Sequence, residues 1–468
     1  MTGKRKRKLA MPDTLIIVAS VVLLVAILSW IIPSGTYDYQ EMNINGRIRN
    51  VAIDGTYHTI DKSEVTTTGF LGFFSVLYRG CVEAADVIFM ILCCCGTFGV
   101  VVKTGAFHAG IGTILKKLKG KEILLVPIIM MIFGLGGSVF GMASEFYGFY
   151  PLIVGLGVAL GYDAMFGFAI IAVGEFVGFM GATLNPYSVG IAQTISGVEL
   201  YSGTGYRAIC FVIFMAISII YVMVYGRKIK KNPGASVVFG EKNIHAFDRD
   251  ELNEYSFTLK DGLVLLDVLV VLVVLMLGLI KWGWDFPQLC GLFLLMSMIA
   301  AAICKWSPNK WCSEFIDSAK TAMWGCILTG IAKAITVVMQ DAQIMDTVIY
   351  GLSNVLKNAP HAVSAQVMLV VQTLINFFIP SATGQACATM PIMAQLADII
   401  GVSRQTAVLA FQFGDGLSNI FWPTADIVII CGLGGISLQK WYKWFTPLFL
   451  ILFVTQAILL GIATGIGF

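Results

Sequence analysis

The chain of 468 residues is 57% hydrophobic and only 13% charged, with a formal net charge of +3, and its mean hydropathy is +0.83. No water-soluble core absorbs that much apolar surface, so the composition excludes a soluble protein and implies an integral membrane one. The apolar runs are continuous and do not alternate in short segments, which favours helical spans over a barrel.

In chain order, a first span is expected over residues 12–33, behind the basic leader Lys4, Arg5, Lys6, Arg7 and Lys8. It ends in Ser29-Trp30-Ile31-Ile32-Pro33 without a small-residue cleavage motif, so it reads as a retained helix and not a signal peptide. A polar, external segment occupies 34–68. A span over 84–103 and a short amphipathic surface helix over 107–118 follow. The next run is interrupted by "GLGGSVFGMASEFYG" (134–148), too glycine-rich for a straight helix, and reads as a re-entrant hairpin over about 122–160. A run over 164–200 is broken by "GATLNPY" (181–187), and a span over 206–226 leads into a basic linker, 227–259. The basic clusters at the N-terminus, at 116–121 and at 227–231 place these segments in the cytoplasm by the positive-inside rule, with no nucleic-acid partner needed to explain them.

The second half opens with a connecting span in 260–285, then spans over 286–303 and 320–340 and an amphipathic stretch over 344–356. A second interrupted run, about 362–401, is broken at "IPSATGQA" (379–386). A run over about 404–436 carries "GDGLSNIFWPTAD" (414–426), whose glycines and proline read as the unwound middle of a helix, and a span over 445–467 ends the chain. The two halves, 1–226 and 286–468, thus share one plan. Overlaid, they align Pro151 with Pro391, Gly161 with Gly401, Gly174 with Gly414, and Glu175 with Asp415. With one connecting span between them they take opposite orientations, a common plan for secondary transporters.

Broken helices at membrane depth are tolerated only against protein or a watery cavity, and they mark binding sites. The breaks offer hydroxyls and amides suited to an organic ion or sodium: Ser138, Ser144, Thr183, Asn185, Ser381, Thr383, Gln385, Ser418, Asn419 and Thr424. Taken singly, each small residue is as well explained by close helix packing. The acids sharpen the pattern, because a carboxylate at this depth is costly unless paired or functional. Glu145, Glu175, Asp415 and Asp426 lie close to the breaks and are the candidates for charge recognition or coupling, whereas Asp163, Glu199 and Asp398 fall near helix ends. Lys103 and Lys333 read as snorkelling side chains. Eleven cysteines without paired spacing and four scattered histidines make no metal constellation, and no Walker motif, GxGxxG fingerprint or nucleophile elbow stands in a suitable context. Neither an enzyme nor a cofactor is expected.

The stretches "PDTLIIVASVVLLVAILSWIIPSGTYD", "IPSATGQACATMPIMAQLAD" and "GDGLSNIFWPTAD" resemble the YfcC-like branch of the DcuC family, in the ion-transporter superfamily with the divalent-anion/sodium symporters. The resemblance covers essentially the whole chain. It implies an all-α polytopic membrane protein of two inverted-topology repeats, each with a re-entrant hairpin and an unwound transmembrane helix. It further implies scaffold and transport domains, elevator movement and a homodimer in the bacterial inner membrane. In relatives that take carboxylates, Ser-Asn-Thr signatures at the hairpin tips bind substrate and sodium. The matching positions here are Gly137-Ser138-Val139 and Ser381-Ala382-Thr383, without the asparagine. The family name implies C4-dicarboxylates, and its YfcC-like members are associated with exchange of basic amino acids. Acids in the site region with almost no cation favour a secondary carrier of an amino acid, a basic one such as arginine or ornithine. The alternative is a C4-dicarboxylate carrier coupled to Na+ or H+. A channel or an intramembrane enzyme fits the duplicated hairpins less well.

Overall fold

The computed structural model describes residues 13–44, 47–118, 122–241, 245, 257–357 and 363–468. The basic leader, the end of the 116–121 cluster and part of the linker (242–244 and 246–256) lie outside the described residues. In chain order the helices are α1 (Thr14–Ile31), α2 (Phe70–Glu83), α3 (Ala85–Lys103), α4 (Ala106–Leu118), α5 (Leu125–Leu135), α6 (Phe149–Ala159), α7 (Ala164–Met180), α8 (Val189–Ile195) and α9 (Thr204–Lys231). The second half contributes α10 (Leu259–Lys281), α11 (Phe286–Ile303), α12 (Pro308–Lys320), α13 (Met323–Asp341), α14 (Met345–Lys357) and α15 (Ser364–Phe378). The chain ends with α16 (Ala382–Ile399), α17 (Arg404–Ser418), α18 (Asp426–Gly434) and α19 (Leu438–Gly465). Seven of these, α1, α3, α9, α10, α11, α13 and α19, are long and apolar enough to cross a membrane among the described residues.

Local chemistry sets the helix starts. Asp163 accepts the Phe166 N–H at 2.7 Å and caps α7, which is the end-of-helix role expected of it. Thr258 with Asp261, and Asp285 with Gln288, close capping boxes on α10 and α11. Ser381 and Ser403 cap α16 and α17. Asp398, also expected near a helix end, pairs with Arg404 across the α16–α17 turn at 2.7 Å. α6 has 11 residues, a rise of about 16 Å, too short to cross a hydrocarbon core of about 30 Å.

The core is built around two buried helices. α7 is buried along its whole length, and α17 from Thr406 to Ser418. α5 and α6 both pack on α7, α15 and α16 both pack on α17, and α7 packs on α17. Opposite this group, α2 lies on α13, α3 on α11 and α12, and α13 meets α18. α2 and α13 cross with their backbones in contact: a Cβ on Gly80 would stand 2.4 Å from Gly330 O. The order of elements in α2–α9 recurs in α12–α19: two helices in series, a surface helix, a helical hairpin, a helix, a break, a short helix and a long one.

Three features differ from the sequence reading. α2 and α12 are helices that the sequence reading left unassigned. The 34–68 segment contains strands β1 (Ser34–Thr36), β2 (Tyr39–Ile44), β3 (Arg47–Ala52) and β4 (His58–Ile60), with β1 antiparallel to β4 and β2 to β3. "GDGLSNIFWPTAD" is not unwound from its start. α17 runs regularly through Asp415 to Ser418, and the break covers 419–425. The glycines there serve close packing: a Cβ on Gly416 would lie 2.3 Å from Met180 Cα.

The strand segment is latched to α14. Asp346, 7% exposed, accepts the Tyr39 hydroxyl at 2.8 Å and the Tyr37 N–H at 3.0 Å, while the Tyr57 and Tyr350 rings stack at 4.1 Å. Burial and the neighbouring Asp346 carboxylate push the Tyr39 phenol well above its ordinary range, so it remains a donor. Asp346→Ala removes both bonds and leaves the buried Tyr37 N–H unsatisfied. The expected outcome is at least ~5-fold faster protease cleavage within residues 34–60, since a local loss of ~1 kcal/mol raises the open population about that much. Unchanged cleavage kinetics would rule out the latch.

Candidate functional site

Two polar clusters and one cavity organise the breaks. In the first half the hairpin turns through Gly136–Phe140 into Gly141, which sits at φ 68°. Ser138 Oγ donates to Gly181 O at 3.0 Å, and Thr183 N donates to Ser138 O at 2.9 Å. Asn185 Oδ1 accepts the Tyr187 and Ser188 N–H groups at 2.9 and 3.2 Å. Ser138, Thr183 and Asn185 are thus buried and join the hairpin to the first break. Glu145 turns back to accept its own loop's Ala143 N–H at 3.0 Å.

In the second half, Asn376 on α15 is the hub. Its Nδ2 reaches Asp415 Oδ1 at 2.9 Å and Gln385 Oε1 and Asn419 Oδ1 at 3.2 Å each. Gln385 donates to Gln372 Oε1 at 2.7 Å. Ser418 returns its hydroxyl proton to Gly414 O at 2.5 Å, and Thr424 donates to Phe377 O at 2.7 Å. Asp415 Oδ2 and Asn376 Oδ1 are buried and accept no hydrogen bond among the described residues, and the same holds for Glu175 Oε1.

The hairpin of the first half reaches the acids through two tyrosines. Tyr147 OH donates to Asp426 Oδ1 at 2.8 Å, and Tyr150 OH donates to Glu175 Oε2 at 2.9 Å. The sequence reading missed both. Their signal was a pair of phenols three apart, beside acids that need buried donors. The halves also meet directly, where Thr383 Oγ1 donates to Tyr187 O at 2.8 Å.

A cavity of about 410 Å³ opens between the two hairpin tips, the second break and one face of α13. Of the expected residues, Ser144, Ser381, Thr383, Asn419, Thr424 and Asp426 line it. Ser138, Glu145, Thr183, Glu175, Asn185, Gln385, Asp415 and Ser418 are not on its wall, and their bonds hold the surrounding elements. Asp426 is the first residue of α18, where the helix dipole favours its negative charge. The wall also carries Glu83 and Lys333. Lys333 was expected to snorkel. It instead faces the cavity, because α13 presents Thr329, Ala332, Lys333 and Thr336 to it as one helical stripe. Among the described residues there is no cluster of three or more His, Cys, Asp or Glu able to hold a metal.

A family model described as "C4-dicarboxylate anaerobic carrier" (DcuC) matches residues 11–465. YfcC of Escherichia coli (strain K12), provisionally named a basic amino acid antiporter, is 32% identical across 100% of this chain and 99% of its own. An uncharacterised protein of Haemophilus influenzae is 27% identical across 99% of both chains. Among solved structures, the YdaH transporter of Alcanivorax borkumensis is similar at TM-score 0.44 and 15% identity, over 98% of this chain and 99% of that one. MtrF of Neisseria gonorrhoeae, described as one of a class of antimetabolite efflux pumps, is similar at TM-score 0.45 and 16% identity, over 97% of this chain and 96% of that one.

Proposed function

The chain belongs to the DcuC family, a multi-pass membrane transporter by that membership, and we propose that it is a secondary carrier exchanging one basic amino acid for another, such as arginine for ornithine. The observation that carries this reading is Asp426: a carboxylate on the cavity wall, held by Tyr147 from the opposite hairpin at 2.8 Å. A substrate ammonium or guanidinium supplies the counter-charge that such a group needs at membrane depth. The provisional name of YfcC points the same way. The cavity volume falls within the ~300–1,000 Å³ usual for small-molecule sites.

In this reading the hairpins with α7 and α17 form a transport domain, and α2, α3 and α11–α13 form a scaffold against which it moves as an elevator. The recurring element order supports two repeats, and the single connecting helix α10 supports their inversion. The basic leader supports a cytoplasmic N-terminus in the bacterial inner membrane, and the family resemblance supports a homodimer. A proton or sodium, if coupled, would use Asp415 Oδ2 and Asn376 Oδ1, the buried oxygens of the second cluster that accept no hydrogen bond among the described residues. The family's own description favours a second reading, a C4-dicarboxylate carrier coupled to sodium or protons.

The test is radiolabelled arginine counterflow in proteoliposomes, competed with ornithine, succinate and neutral amino acids, with and without sodium. Saturable counterflow driven by ornithine and indifferent to succinate is expected. Succinate counterflow without arginine counterflow would replace the first reading with the second. Flux without saturation or counterflow would instead indicate a channel.

A further inference from the structure

The cavity holds a second charge set, which neither the family match nor the relatives assign to any role. Lys333 on α13 and Glu83 at the end of α2 both line it, facing the hairpin tips and Asp426. Each lies one helical turn beyond the Gly80–Gly330 crossing, where the two backbones touch, so both side chains project from a wall of fixed spacing. Glu83 is the last residue of the 14-residue α2. The next residue, Ala84, separates α2 from α3 and ends the regular helix. Lys333 is only partly exposed. Neither Lys333 nor Glu83 makes an ion pair with another side chain among the described residues.

A lysine and two acids that line one cavity without an ion pair among the described residues are arranged for a ligand that carries the complementary charges. The charged wall groups are Glu83, Asp426 and Lys333, a net single negative charge. A basic amino acid at neutral pH presents two cationic groups and one carboxylate, which is the complement of that set. A dicarboxylate would bring two anions to a wall with one cation, and a neutral amino acid would leave one acid unmatched. We propose that Lys333 is the carboxylate-recognising residue of this carrier, and that Glu83 and Asp426 take the two cationic groups. The site thereby selects an intact basic amino acid over its decarboxylated amine. This rests on the basic amino acid reading above. Ser381 and Thr383, at the facing hairpin tip, add hydroxyls to the same wall.

The test is competition of labelled arginine counterflow by unlabelled arginine, arginine methyl ester and agmatine, in wild type and in Lys333→Gln and Lys333→Arg. In wild type the ester and agmatine, both lacking a free carboxylate, should compete at least ~10-fold more weakly than arginine. Lys333→Gln should weaken arginine at least ~10-fold and leave agmatine little changed, so that the preference collapses; Lys333→Arg should retain it. An undiminished arginine-to-agmatine preference in a folded Lys333→Gln protein overturns the assignment while leaving basic amino acid exchange intact. Equal competition by arginine and its ester in wild type overturns it without any variant. Absence of arginine counterflow in wild type, with succinate counterflow present, overturns the underlying reading and this inference with it.

Discussion

Replacing Asp426 with asparagine is expected to raise the KM for arginine counterflow at least ~30-fold, the equivalent of the ~2 kcal/mol at the low end for truncating one member of a buried charge pair. Asparagine keeps the shape and keeps an oxygen for the Tyr147 hydroxyl, whose bond at 2.8 Å ties the first hairpin to α18. It removes only the charge. A loss of transport with an unaltered gel-filtration profile in detergent would therefore report recognition and not folding. A KM within about threefold of wild type, a difference of only ~0.6 kcal/mol, would show that the cation does not meet this residue.

Asp415→Asn is expected to leave the protein as stable as wild type, or more so, and to reduce counterflow at least ~20-fold. Asp415 is wholly buried, with Oδ1 accepting from Asn376 at 2.9 Å and Oδ2 accepting nothing among the described residues. A buried carboxyl oxygen without a donor is a structural liability, and an amide beside the unbonded Asn376 Oδ1 relieves it. The expected loss of counterflow follows from the proposed role of this carboxyl in coupling, since an ionisable group at membrane depth is costly unless it is used. Thermal unfolding in detergent, measured beside counterflow, separates the two effects. Near wild-type transport by a folded Asp415→Asn protein would remove the residue from the mechanism.

Spans and breaks are legible in the sequence where composition alone decides them. α1 and α11 are apolar runs without a charged residue, and Asn185-Pro186 and Pro380-Ser381 each stand at a break between helices. What could not be read was the partner across each residue. Gly414 and Gly416 looked like helix breakers, yet the helix passes through both, because Thr373 N and Met180 Cα approach so closely that no side chain fits. A lysine inside a span reads the same in one dimension whether it snorkels or lines a cavity. Only the face of α13 that meets the hairpin tips separates the two for Lys333. Tyr147 and Tyr150 were passed over for the same reason, since their acids lie 279 and 25 residues away in the chain. Ser138, Thr183 and Asn185 read as substrate ligands in the sequence, whereas in the structure they join a hairpin to a broken helix behind the cavity wall.

The crossing of α2 and α13 at Gly80 and Gly330 has a consequence for size. Backbone held against backbone cannot yield, so the main-chain positions from which Glu83 and Lys333 project keep a set separation whatever occupies the space before them. Such a pair is a gauge. In the proposed exchange it would sort substrates by the distance between their charges, with tolerance for a longer or shorter side chain coming from the hairpin tips on the other side.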